Sequence, residues 1–164
     1  MIEELIPVIL HKGFDGLFLD TLDDPPYLEN LDSKKYSGMT RGGVNLVKAI
    51  RHHYPNIKIM VNRGYELLED IAEDIDMVLG ECVFADYDFK TKTYQRVSEE
   101  EYRQQVAILT SLKDKFPHLE IFTLDYWNPD DMAGIAEIYR QQRNNGFRPY
   151  VATVELDRIV PEPG

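Results

Sequence analysis

Leu46–Leu68, LVKAIRHHYPNIKIMVNRGYELL, reads as the end of an amphipathic helix, a break, a strand, and the start of another helix. Leu46, Val47 and Ile50 keep helical spacing, and Pro55 with Asn56 interrupts it. Residues 57–62 are then short, apolar and β-branched, and the strand finishes on Asn62. The same unit recurs on both sides. Strands are expected at 16–20, 57–62, 77–81, 121–125 and 150–154. Helices are expected at 42–53, 65–73, 99–115 and 129–144, with a partial one at 2–11. Ser98 before three glutamates reads as an N-cap, Pro129 as a first-turn proline, Asp130 and Asp131 as first-turn acids, and Gly146 as a helix stop. Such βαβ alternation requires parallel strands joined by right-handed crossovers, hence an α/β layer or barrel.

The 164 residues, 43% of them apolar, suffice for one domain over residues 1–164 with a sizeable core. A formal charge of −11 argues against nucleic acid or an anionic membrane surface as partner and suits a neutral or cationic ligand. Cys82 is the one cysteine, so neither an intrachain disulfide nor a cysteine-based zinc site is expected. No run of about 18 apolar residues reads as a membrane span, and the N-terminus lacks the pattern of an export signal. Arg41-Gly42-Gly43 lacks the spacing and lysine of a phosphate loop. No cofactor is expected, and the scattered histidines give no metal site.

The strand ends carry the functional signal. They are Asp20, Asn62, Glu81, Asp125 with Tyr126, and Glu155. Any one has a plain explanation, because Asp and Asn begin turns and cap helices. Five in register point instead to a ligand site, since parallel α/β folds bind at the carboxyl edge of the strands. Glycoside cleavage needs one protonated carboxyl for the leaving oxygen and one ionised carboxylate as nucleophile or water-activating base. Glu81 follows Met-Val-Leu-Gly, apolar surroundings that would hold it protonated, and is assigned as proton donor; Asp20 is assigned as its partner. Asp23 follows closely as a substrate-contacting acid. Asn62, Arg63 and Asp125 suit sugar hydroxyls, and Tyr87 and Tyr126 suit the apolar faces of sugar rings.

Five segments in this order, GFDGLFLDTLD, LVKAIRHHYPNIKIMVNRGYELL, DMVLGECVFADYD, IFTLDYW and GFRPYVATVEL, resemble glycoside hydrolase family 114. Its members are endo-α-1,4-polygalactosaminidase-like TIM barrels, and the chain is also similar to the related hydrolase domain of the Pel exopolysaccharide machinery. The resemblance runs from about Gly13 to Leu156 and rests on order and spacing. It implies a (β/α)₈ barrel acting on galactosamine-containing polysaccharide in a secreted or periplasmic setting, with catalytic acids at Asp20 and Glu81. A barrel of this kind has eight strands in about 250 residues. Five expected strands therefore correspond to strands four to eight. An additional N-terminal segment or a second copy of the chain would complete it. The alternative reading is a non-catalytic carbohydrate-binding or assembly module derived from such a barrel. A Schiff-base or metal-dependent enzyme is disfavoured, because no lysine ends a strand.

Overall fold

A computed structural model describes residues 2–163. Two compact units emerge, one comprising residues up to Val78 with Phe116–Leu119, the other Leu79–Lys115 with residues from Glu120 onward.

In the first unit the elements are α1 (Leu5–His11), β1 (Gly16–Leu19), α2 (Asp24–Leu31), α3 (Met39–His53), β2 (Lys58–Asn62) and α4 (Leu68–Ile71), which a 3₁₀ turn, Ala72–Asp74, extends. The chain then enters β3 (Met77–Glu81). β1 and β2 pair in parallel, with Gly16 opposite Lys58 and Leu19 opposite Val61. Only glycine fits at that pairing: a Cβ on Gly16 would stand 2.3 Å from the Lys58 carbonyl oxygen. α3 forms because Val44, Val47 and Ile50 make one apolar stripe, and all three are buried. Glu29 of α2 caps this helix by accepting from the Gly38 amide at 2.7 Å and the Thr40 amide at 3.0 Å. The Thr40 hydroxyl and these two amides hold the Glu29 carboxyl below its ordinary range.

Arg51, in the last turn of α3, ties the unit together. Its guanidinium donates to the carbonyls of Asp74 (2.9 Å), Pro55 (3.0 Å) and Ile57 (2.8 Å) and to Asp76 Oδ2 (2.7 Å). Asp76 also accepts from Lys58 Nζ and the Ile59 amide. Partial burial pushes the Asp76 carboxyl up, but the bonds from Lys58, Ile59 and Arg51 outweigh it and leave the group below its ordinary value. This contribution is present above the unfolded pKa near 4 and is lost as pH falls through the lower folded value. Arg51→Ala is expected to lower stability by about 2–3 kcal/mol in urea titrations at pH 7. Arg51→Lys should not restore it, since an ammonium cannot span four acceptors in a plane. Below pH 4 the deficit should narrow. A constant deficit from pH 7 to pH 3 would remove Asp76 from the account.

In the second unit the end of β3 is followed by β4 (Ala85–Asp88), β5 (Thr93–Arg96), α5 (Glu99–Lys115), β6 (Glu120–Tyr126), α6 (Met132–Asn144) and β7 (Arg148–Ala152). β3, β6 and β7 lie in that order, and β6 and β7 are parallel, with Phe122 opposite Arg148 and Tyr126 opposite Ala152. β4 and β5 form a separate antiparallel hairpin. α6 packs on β7, and its Ile135, Ile138 and Tyr139 form a core with Phe84, Val151 and Val160. α5 begins with a capping box: the Glu101 amide donates to Ser98 Oγ, and Ser98 donates back to Glu101 Oε2 from both its amide and its hydroxyl.

The five expected strands all form, so the α/β reading with parallel strands holds. Several local expectations are corrected. Phe18 in β1 is 52% exposed, so this strand is not the buried run its composition suggests. Asp131, rather than Pro129, starts α6: its Oδ1 accepts from the Gly134 amide at 3.0 Å, and Asp130 precedes the helix. The helix expected at 65–73 shortens to α4 and its 3₁₀ extension. β7 ends at Ala152, two residues early, which leaves Glu155 in an exposed turn beyond the strand.

Candidate active site

Three strand ends share one backbone device. Thr21, Arg63 and Cys82 have φ of 60°, 50° and 55°, and they directly follow Asp20, Asn62 and Glu81. Left-handed backbone is uncommon outside glycine and is retained where surrounding contacts enforce it, often at functional positions. Here it turns the chain sharply just after each polar side chain.

In the first unit, Asp20 stands one residue past β1 and is exposed. Its Oδ1 accepts from the Thr21 amide at 2.8 Å and from Asn62 Nδ2 at 3.0 Å, the acceptor pattern of a carboxylate. Asn62 is 8% exposed, so it acts on Asp20 from below instead of lying open to solvent. Arg63 is exposed with its guanidinium 5.7 Å from the centre of the Tyr65 ring. Asp23 is exposed and precedes α2.

In the second unit, Glu81 ends β3, and its Oε1 accepts a 2.5 Å hydrogen bond from the Tyr126 hydroxyl. Burial, then the hydrogen bond and charge of Glu81, push the Tyr126 phenol well above its ordinary range, so it stays a donor. Next along the chain, Cys82 is fixed from three sides. Its amide donates to the Leu124 carbonyl (2.8 Å), its carbonyl accepts from Gln105 (3.0 Å), and its thiol donates to Asp86 Oδ1 (3.1 Å). Burial, together with Asp86, Glu81 and Asp125, raises the thiol and keeps it protonated. The surroundings of Glu81 are thus a tyrosine, a thiol and a second carboxylate, not the apolar pocket read from Met-Val-Leu-Gly.

Asp125 is not placed to touch a sugar. It is fully buried, with Oδ1 accepting from the Phe84 (2.6 Å) and Ala85 (2.9 Å) amides and Oδ2 from Gln142 Nε2 (2.7 Å). Burial pushes its carboxyl up against these three donors. Its role is to pin the loop that follows Glu81. Tyr126, expected to stack on sugar, is 8% exposed, and its hydroxyl is directed at Glu81 instead. Tyr87 is half-buried on β4. Asp86 and Gln142 were not singled out from the sequence. Gln142 had a signal: it continues the apolar stripe Ile135, Ile138, Tyr139 of α6, where a polar residue implies a buried partner. Among the described residues no group of three or more His, Cys, Asp or Glu is arranged to hold a metal ion, and no helix is long and apolar enough to cross a membrane.

The model of glycoside hydrolase family GH114 matches residues 1–163. The chain belongs to family GH114. The fold of this GH114 chain is similar to that of the glycoside hydrolase domain of PelA from Pseudomonas aeruginosa, with a TM-score of 0.82 at 24% identity over 95% of the chain. A variant of that domain with a glutamate changed to alanine matches with a TM-score of 0.81, also at 24% identity and over 95% of the chain. The chain spans 60% of the length of each of these two structures. No curated protein matches it.

Proposed function

We propose that the chain forms the greater part of a (β/α)₈-barrel glycoside hydrolase domain that cleaves α-1,4-linked, galactosamine-containing polysaccharide within the chain. Glu81 is the proton donor and Asp20 the partner carboxylate. The observation that carries this reading is the Tyr126–Glu81 hydrogen bond at the end of β3. The bond fixes Oε1, and in the acid role Oε2 is the oxygen that delivers the proton. As the glycosidic C–O bond breaks, that proton passes to the departing oxygen. Asp20, whose Oδ1 is held by Asn62 and the Thr21 amide, attacks the anomeric carbon or deprotonates the water that does. Deacetylated galactosamine is cationic, and a chain of net charge −11 favours its approach.

Family membership supports the hydrolase class, and the substrate is inferred from the endo-polygalactosaminidase resemblance and the charge. A second reading is a carbohydrate-binding module without turnover, favoured by the aromatic side chains Tyr87 and Phe89 packed together shortly after Glu81. Incubation with partially deacetylated poly-galactosamine separates the two. Release of reducing ends by the unmodified chain, and not by Glu81→Gln, supports the hydrolase. Retention of the polymer with no release by either protein supports the binding module.

A further inference from the structure

The β4–β5 hairpin begins four residues after Glu81 and displays a large aromatic side chain at its tip. Phe89 is 74% exposed, although the hairpin beneath it is firmly built. Tyr87 and Tyr94 are directly opposed across the two strands, with ring centres 4.9 Å apart, and Phe89 meets Tyr87 edge-to-face at 5.2 Å. The turn is fixed by Asp88, whose Oδ1 accepts from the Lys90 (2.7 Å) and Thr91 (3.2 Å) amides while its carbonyl accepts from the Lys92 amide (2.7 Å). At the base, Asp125 holds the Phe84 and Ala85 amides, and the Val97 amide donates to the Phe84 carbonyl at 3.1 Å. Asp86 joins hairpin to site by accepting from both the Cys82 thiol and the Tyr87 amide. A two-stranded ribbon gains little from its own backbone pairing. These anchors therefore order the turn and keep an exposed ring in one place.

We propose that the hairpin is a saccharide-binding platform, with Phe89 stacking on the apolar face of a sugar ring in the polymer whose cleaved bond lies at Glu81. The proposal rests on the hydrolase reading for its choice of polymer. Rigidity argues for a ligand that is flat and apolar on one face. A pre-positioned aromatic ring loses little side-chain freedom on binding, and its C–H-facing surface fits a pyranose better than a charged or extended peptide. Continuity with Glu81 through Cys82 and Asp86 selects the substrate polymer over a separate ligand.

The test is affinity electrophoresis through gels containing partially deacetylated poly-galactosamine. Glu81→Gln serves as the parent so that the polymer stays intact. Adding Phe89→Ala should weaken retention about tenfold, and Phe89→Tyr should restore it. Because the ring is exposed, the melting temperature should stay with the parent. Unchanged retention in Phe89→Ala, with the parent retained, overturns the platform and leaves the hydrolase reading intact. Phe89-dependent retention with no turnover by the unmodified chain overturns the hydrolase and keeps the platform. A parent that is not retained at all overturns both. A change in molecular mass with Phe89→Ala, at unchanged retention, would mean that the ring contacts another copy of the chain and not sugar.

Discussion

Glu81→Gln is expected to lower turnover on polymer by about 10²–10⁴-fold while leaving polymer binding and melting temperature near those of the unmodified chain. Glutamine has the shape of glutamic acid and keeps a carbonyl oxygen for the Tyr126 hydroxyl, so the 2.5 Å bond survives and only the transferable proton is lost. A substrate with a nitrophenolate leaving group supplies the sharper measurement, because that group departs without protonation. The deficit should shrink strongly on it if Glu81 is the acid. An undiminished deficit would reassign Glu81 to the nucleophile or base. Tyr126→Phe removes the donor to Oε1 and should cost about tenfold in turnover, since the carboxyl loses its fixed orientation but keeps its proton. Tyr126 and Cys82 both stay protonated well into alkaline conditions, so neither accounts for a fall in rate between pH 6 and 9.

Much of this was legible in the sequence, and the misses have physical causes. β3 and α5 form at the expected residues because composition, caps and period agree there. The β4–β5 hairpin escaped notice because Ala-Asp-Tyr-Asp and Thr-Tyr-Gln-Arg have no apolar alternation. Their pairing is carried instead by one cross-strand tyrosine contact and by bonds from Asp125, neither of which leaves a local pattern. α2 was hidden behind Pro25 and Pro26, which look like breakers but occupy a first turn, where no amide is needed. Glu29 caps α3 across a nine-residue separation from Gly38, a contact that leaves no local pattern. The left-handed residues after Asp20, Asn62 and Glu81 are threonine, arginine and cysteine, so no glycine marked the device that presents these side chains. Asp125 looked like a strand end, but β6 runs to Tyr126. Period-two alternation then sets Asp125 on the inner face with Ile121 and Thr123, which are both buried.

That placement makes Asp125 a large contributor to stability. Asp125→Ala strands the Phe84 and Ala85 amides and Gln142 Nε2 in a site with no solvent access, and the cost of three orphaned donors is about 4 kcal/mol. For a chain of this size the melting temperature should fall by about 10 °C. Asp125→Asn should behave differently. Its amide oxygen still accepts from the two backbone amides, and its NH₂ group is met when Gln142 rotates to present Oε1, an atom with no hydrogen-bond partner among the described residues. Protonation supplies the decisive comparison. Burial raises the Asp125 carboxyl above its unfolded value near 3.9, so its contribution to stability is fully present below pH 4 and is lost as pH rises through the folded pKa. Asparagine does not titrate. The melting temperature of Asp125→Asn relative to the unmodified chain should therefore climb as pH rises from 4, while Asp125→Ala stays well below both. Had Asp125 been a sugar ligand, Asp125→Asn would raise KM at an unaltered melting temperature with no such pH trend. A buried carboxylate that pins the Glu81 loop instead links the stability of the second unit to turnover, so the alanine variant should lose activity by losing the ordered loop.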